Sequence, residues 1–294
     1  MRVHVLTRGT DRDYGFLATP PEDQWWDALS DTGLIITTTA QVAVRGRHGR
    51  WSAAAFGIPS ERADRLGTPI RYSVLVVDGE PADGDVAVGL VRTVLDPEAR
   101  AALGSALDKV FTVPLVEGLL ADARRESDVP WELLPGILRG AVPEEPPGRS
   151  PESPPPTPAP WAGPHEQETV AAFVARTRSL AGGEEEGYAT TANGLSSLKG
   201  IGTAVAQASS VIGTTDATVL VSEARFDRVT DLSMVIGEAE AKKAEPPAVD
   251  PRPPAFRDRP ELEQHRWSPA KKLWTAGSAV CVLVLVSLLF LLIM

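Results

Sequence analysis

The sequence predicts an α+β protein: an N-terminal mixed or antiparallel sheet followed by helices, a small mostly helical second segment, and a single C-terminal transmembrane helix. Three observations predict it. Strand-like runs crowd the first 79 residues, helical periodicities follow them, and an uncharged run of 22 residues, Leu273 to Met294, closes the chain. Strands first and helices afterwards point to helices segregated on one face of the sheet.

Val3–Leu6 opens as a short strand. Gly33–Gly46, GLIITTTAQVAVRG, is long, β-branched and alternating at Val42 and Val44, as a strand is. The turn GRHG, Gly46–Gly49, leads it into Trp51–Ile58, a hairpin closed by a short glycine-containing loop. Arg71–Gly79 is apolar on both faces, which suits a central strand, and ends in an Asp-Gly turn. Val86, Leu90, Val91, Val94 and Leu95 then share one helical face. Asp96 and Pro97 supply an N-cap and a first-turn proline for a helix carrying Leu103, Leu107, Val110 and Phe111. Pro114–Arg125 repeats the pattern, and Pro130–Gly140 adds a broken turn or two.

Two proline-rich stretches divide the chain. Pro143–Pro164 holds ten prolines in 22 residues and Pro246–Pro260 holds six in 15. Proline lacks the N–H and restrains the residue before it, so both read as semi-extended spacers. The expected organisation is a cytoplasmic α+β domain at 1–142 and a disordered linker at 143–164. A small helical or mixed segment at 165–241, a juxtamembrane linker at 242–270 and an anchor at 271–294 follow. In the small segment, Val170, Phe173, Val174 and Leu180 form one helical stripe, and Gly182–Gly187 breaks it. Gly194–Gly213 carries a second stripe of small residues, Ala217–Phe226 reads as a strand, and Leu232–Ala241 as a last helix.

At about 1.5 Å per residue, a helix over Leu273–Met294 spans roughly 33 Å, enough to cross a hydrocarbon core. Thirteen of its residues are Leu, Ile, Val or Phe, which favours insertion by roughly 4–8 kcal/mol. Lys271 and Lys272 mark the near boundary, where Trp267 and Trp274 stand at the depth indoles prefer. Nothing follows Met294 to be translocated and the amino end has no apolar signal segment. The expectation is a tail-anchored, single-pass protein of an inner membrane, with its bulk in the cytoplasm. Small residues over Thr275 to Cys281 would let two such helices approach, so the lipid bilayer is joined by homo-association there as an expected contact.

Net charge is −10 with no extended basic patch, which argues against nucleic acid. The one cysteine, Cys281, lies inside the span, leaving no disulfide, cysteine nucleophile or thiolate metal site. Arginine far outnumbers lysine, consistent with a high-GC bacterial source. Four scattered histidines, an incomplete GIGTAV and the lack of GxxxxGK[ST] or GxSxG predict no metal, cofactor or catalytic residue. Two groups remain as interaction or polar-ligand candidates. Asp11, Arg12 and Asp13 follow the first strand, where opposed charges bind a small ligand or else neutralise one another in a solvated turn. Trp25 and Trp26 point about 100° apart on a helix, so one indole can enter the core while the other faces protein partners, although packing of both in the core is the preferred reading.

The leading expectation is a membrane-tethered adaptor or scaffold, non-enzymatic, reaching protein partners from flexible spacers. The alternatives are a tethered hydrolase using carboxylates such as Asp11, Asp13 or Asp78, and a regulatory subunit that oligomerises through the central segment.

Overall fold

The computed structural model describes residues 1–121, 127, 129–140 and 160–244. Their strands are β1 (Arg2–Thr7), β2 (Gly15–Phe16), β3 (Gln41–Arg47), β4 (Arg50–Ala63), β5 (Pro69–Gly79), β6 (Trp161–Pro164), β7 (Gly187–Ala192), β8 (Ala217–Val221) and β9 (Thr230–Asp231). Their helices are α1 (Trp26–Asp31), α2 (Gly84–Leu95), α3 (Pro97–Val110), α4 (Val113–Leu120), α5 (Leu134–Gly140), α6 (Gln167–Ala181), α7 (Leu198–Ile212) and α8 (Ser233–Ala244). The protein is α+β, with one large mixed sheet in the order β2-β1-β5-β4-β3-β7-β8-β6-β9. Pairing is antiparallel from β2 across to β7, parallel through β7, β8 and β6, and antiparallel again at β9.

Alternation along each strand sends side chains to two different cores. Trp51, Ala53 and Ala55 of β4 join the layer of α2–α6, while Ala54 and Phe56 join α1, α7 and α8 on the other face. Each fully buried Val or Leu on these faces contributes roughly 1.5–3 kcal/mol. The helices therefore lie on both faces and are not segregated to one, because apolar residues occupy both faces of the central strands. The parallel half explains the split. β6-α6-β7 and β7-α7-β8 advance in opposite directions along the sheet, and crossovers of one hand then put their helices on opposite faces.

The expected boundary between 1–142 and 165–241 does not separate two folds, because β7 pairs with β3 and Met1–Pro246 forms one compact unit. The second segment is mostly helical as expected, through α6, α7 and α8, but three of its strands, β7, β8 and β9, also extend the sheet. Trp161–Pro164, read as the end of a proline linker, is the buried strand β6, with Pro164 at its last position where a missing N–H matters least. Gly33–Gly46 is a strand only from Gln41 onward. Gly33 (φ 75°) closes α1, and the buried Gln41 amide donates to the carbonyls of Leu34 and Thr191 at 3.1 Å each, holding the intervening loop against the sheet. β4 runs on past Ile58 through a glycine bulge at Gly57 (φ 68°), and Pro59 is tolerated because β3 pairs with β4 only as far as Phe56.

The stripe of Gly194–Gly213 packs internally: Ile201, Val205, Ala208 and Ile212 of α7 are buried, and a Cβ on Gly202 would meet Val235 of α8 at 2.5 Å. Residues 143–159 of the first linker, all but the first three residues of 242–270, and the expected span 271–294 lie outside the described residues. No helix among the described residues is long and apolar enough to cross a membrane.

Candidate functional site

The site begins with a two-residue turn. His48 (φ 52°) and Gly49 (φ 68°) both adopt positive φ, as a type I′ hairpin turn requires, and glycine and histidine take that region more readily than most residues. The turn sets the register: Arg47 stands opposite Arg50 and Arg45 opposite Ser52. Alternation carries all four side chains to the face of Ala43 and Ala54, beyond the edge of α1. On β5, Val77 and Asp78 extend the same wall, and Asp23 and Trp25 from the loop before α1 form the opposite one. Together they enclose an open groove of about 350 Å³.

Its electrostatics are uneven. Arg45 is nearly buried, stacks over the Trp25 indole at 5.1 Å and pairs with Asp23. Arg2, opposite Val77 on β1, pairs with Asp78. That hydrogen bond holds the Asp78 carboxyl below the usual range against the opposing effect of burial, with help from the charges of Arg2 and Arg50. Arg50 lies 3.6 Å from Glu80, both side chains largely exposed. Arg47 Nε donates only to His48 Nε2, at 3.2 Å, and has no carboxylate within 4.0 Å among the described residues. The Nε1 of Trp25 and the Nε of Arg45 are further buried donors without an acceptor among the described residues. The groove lining thus carries three arginines against two aspartates, while Glu80 stands beside Arg50 and Glu186 accepts from the His48 N–H at 3.0 Å, in a chain whose net charge is −10. Guanidinium groups stay protonated across the physiological range, so this arrangement can donate charged hydrogen bonds to an anion.

The residues singled out from sequence fare differently. Trp25 and Trp26 are both buried, with rings 6.2 Å apart edge to face, so the preferred reading, core packing of both indoles, holds and the alternative of an exposed contact does not. Trp26 enters the core through α1, and Trp25 precedes the helix and is covered by Arg45. Asp11, Arg12 and Asp13 belong to a self-satisfied turn: Gly9 N–H donates to the Arg12 carbonyl at 3.1 Å, Tyr14 N–H to Asp13 at 2.8 Å, and Asp11 pairs with Arg65. Glu117 of α4 fills the turn, accepting from the N–H groups of Thr10 and Asp11. Asp78 lies beside the start of β1 whereas Asp11 and Asp13 follow its end, a separation of roughly 15–20 Å at strand rise. The three carboxylates proposed for hydrolysis do not converge.

The sequence reading missed Arg45, Arg47 and Arg50. Their signal was present as RGRHGR, Arg45–Arg50, three arginines and a histidine in six residues of an acidic chain. It looked like a turn, and only strand register shows that its side chains share a face.

A second hollow, about 670 Å³, opens at the C-terminal ends of β6 and β8, where α/β proteins often bind ligands. Glu166, Glu223 and Asp227 outnumber Arg225 there, and the connection from β6 to α6, His165 and Glu166, lacks the glycines that let a phosphate approach backbone. A third polar cluster is internal. Asp108 of α3 accepts from Ser60 (2.6 Å), Tyr72 (2.8 Å) and the Glu61 N–H (2.7 Å), and lies 3.3 Å from the buried Arg62. Burial pushes the Tyr72 phenol well above its usual value, so it remains a donor, and the cluster fastens α3 to β4 and β5. No protein-family model, curated protein or solved structure matches the chain.

Proposed function

We propose that this chain is a membrane-tethered recognition module, a scaffold whose α+β body gathers an anionic partner at the groove of Arg45, Arg47 and Arg50. The observation that carries the reading is Arg47, without a carboxylate partner among the described residues, directly opposite Arg50 on the hairpin. The uncharged run Leu273–Met294 supplies the tether, with Lys271 and Lys272 on the cytoplasmic side. Tethering raises the effective concentration of a partner at the inner membrane without any new contact.

Two measurements test the halves separately. Deleting Leu273–Met294 moves the protein from the membrane pellet to the soluble fraction, and a truncated chain that still pellets in high salt removes the tether. Affinity capture from cells with the anchor in place recovers a stoichiometric partner that is lost on Arg47→Ala with Arg50→Ala. A partner retained by that double variant removes the groove from the reading.

A further inference from the structure

We propose that the group the groove takes is a phosphate monoester on a soluble molecule or side chain, an inference that rests on the groove being the recognition site. The carboxylates of the groove are already engaged, Asp23 by Arg45 and Asp78 by Arg2. Among the described residues Arg47 is left without a carboxylate, and Arg50 has only the loose contact with Glu80 at 3.6 Å. These two guanidinium groups rise from directly opposed positions, about 5 Å apart at the backbone, and each presents a planar fork of donors. One carboxylate, with a single charge and two oxygens, is satisfied by one fork. A phosphate monoester carries close to two charges and three strong acceptor oxygens, and accepts from both forks at once.

Two further features narrow the source. At about 350 Å³ the groove has the size of a small-molecule site. The net charge of −10 repels extended polyanions and anionic lipid surfaces at long range, whereas a compact dianion is small enough to meet the Arg47 and Arg50 guanidinium groups alone.

The test is calorimetric titration of the full chain in non-ionic detergent, at constant ionic strength, with inorganic phosphate, O-phosphoserine, serine and acetate. Flotation with vesicles of phosphatidylcholine containing phosphatidic acid forms the lipid arm. Saturable binding of phosphoserine is expected, with serine and acetate weaker by about tenfold or more. Arg47→Ala and Arg50→Ala each weaken phosphoserine by about tenfold, the loss of charge-assisted hydrogen bonds, while Arg139→Ala, whose partner Asp83 lies outside the groove, leaves it unchanged. Absence of saturable phosphate and phosphoserine binding overturns the inference, as does binding that the groove variants leave intact. Acetate binding as tight as phosphoserine overturns it while leaving an anion-recognising groove. Vesicle binding without phosphoserine binding overturns it in favour of a lipid surface. The comparison of phosphoserine with serine on the unaltered chain decides the matter even if a variant fails to fold. Retention of the cellular partner by the double variant is a separate failure, that of the recognition module itself.

Discussion

Arg47 and Arg50 face each other across the His48-Gly49 turn, two like charges in directly opposed positions of an antiparallel pair. Such a pair works against the hairpin that presents it. Arg47→Thr removes the repulsion and adds a β-branched residue, so it raises stability by about 0.2–1 kcal/mol. A higher urea midpoint with unchanged slope is the expected result, and a lower midpoint would mean that Arg47 has a structural partner. Stability gained where binding is lost marks a residue retained for recognition.

Gly104 governs how closely α3 lies on β4. A Cβ at this position would stand 1.8 Å from the Pro59 carbonyl oxygen, a backbone atom that cannot move aside alone. Gly104→Ala destabilises by about 1–3 kcal/mol, towards the upper end because strand and helix must separate. Gly213→Ala is unlike it: nothing lies within 4 Å, and the change acts through its positive φ of 87° alone. Urea unfolding of the two variants separates steric from conformational effects.

Asp108 joins α3 to the sheet through the hydroxyls of Ser60 and Tyr72 and the Arg62 guanidinium. The Arg62 and Asp108 side chains are only 8% and 12% exposed, so Asp108→Ala strands a buried cation. The expected loss is roughly 3–5 kcal/mol, as for breaking one side of a buried pair. Thermal unfolding measures it, and a loss under about 1 kcal/mol would show that the cluster is solvated.

Asp64 organises the turn between β4 and β5, accepting from the N–H groups of Leu66 at 2.9 Å and Thr68 at 2.8 Å. The backbone bond from Thr68 is the main reason its carboxyl is held below the usual value, against burial and aided by Leu66 and the charge of Arg8. A depressed folded value means that Asp64 contributes fully above the ordinary carboxylate value of about 3.9, and that the contribution is lost as pH falls through the folded value. The stability gap between the unaltered chain and Asp64→Ala should therefore be constant near neutrality and close in acid below about pH 4. A gap that widens on acidification would reverse the sign.

Elements with a strong local signal were legible. Asp96 and Pro97 start α3 as read, with the Asp96 side chain accepting from the N–H groups of Glu98 and Ala99. Gly213 ends α7 in the left-handed conformation, and the apolar run Ser73–Val77 lies in a strand paired on both sides. Less legible was β7, GYATTA, all six of whose residues are buried although only one is large and apolar. Its place comes from pairing with β3 and β8 and from Thr191, whose hydroxyl accepts the Val42 N–H at 3.0 Å. β6 was hidden because a proline-rich composition outweighs four residues that a parallel neighbour holds. Of the candidate site, Trp25 was visible as a residue, but not as a wall stacked beneath Arg45.

By itself the sequence determined the local quantities: alternation, helical periodicity, caps, the left-handed turn positions, the acidic balance and the uncharged 22-residue run. Those depend on neighbours within a few positions. Only the tertiary structure decided that residues 161–231 complete the sheet begun at residue 2, that helices cover both its faces, and that Arg45, Arg47 and Arg50 share a groove with Asp23 and Asp78. Strand register and crossover direction set these, and both are settled by burying two apolar faces at once across distant parts of the chain.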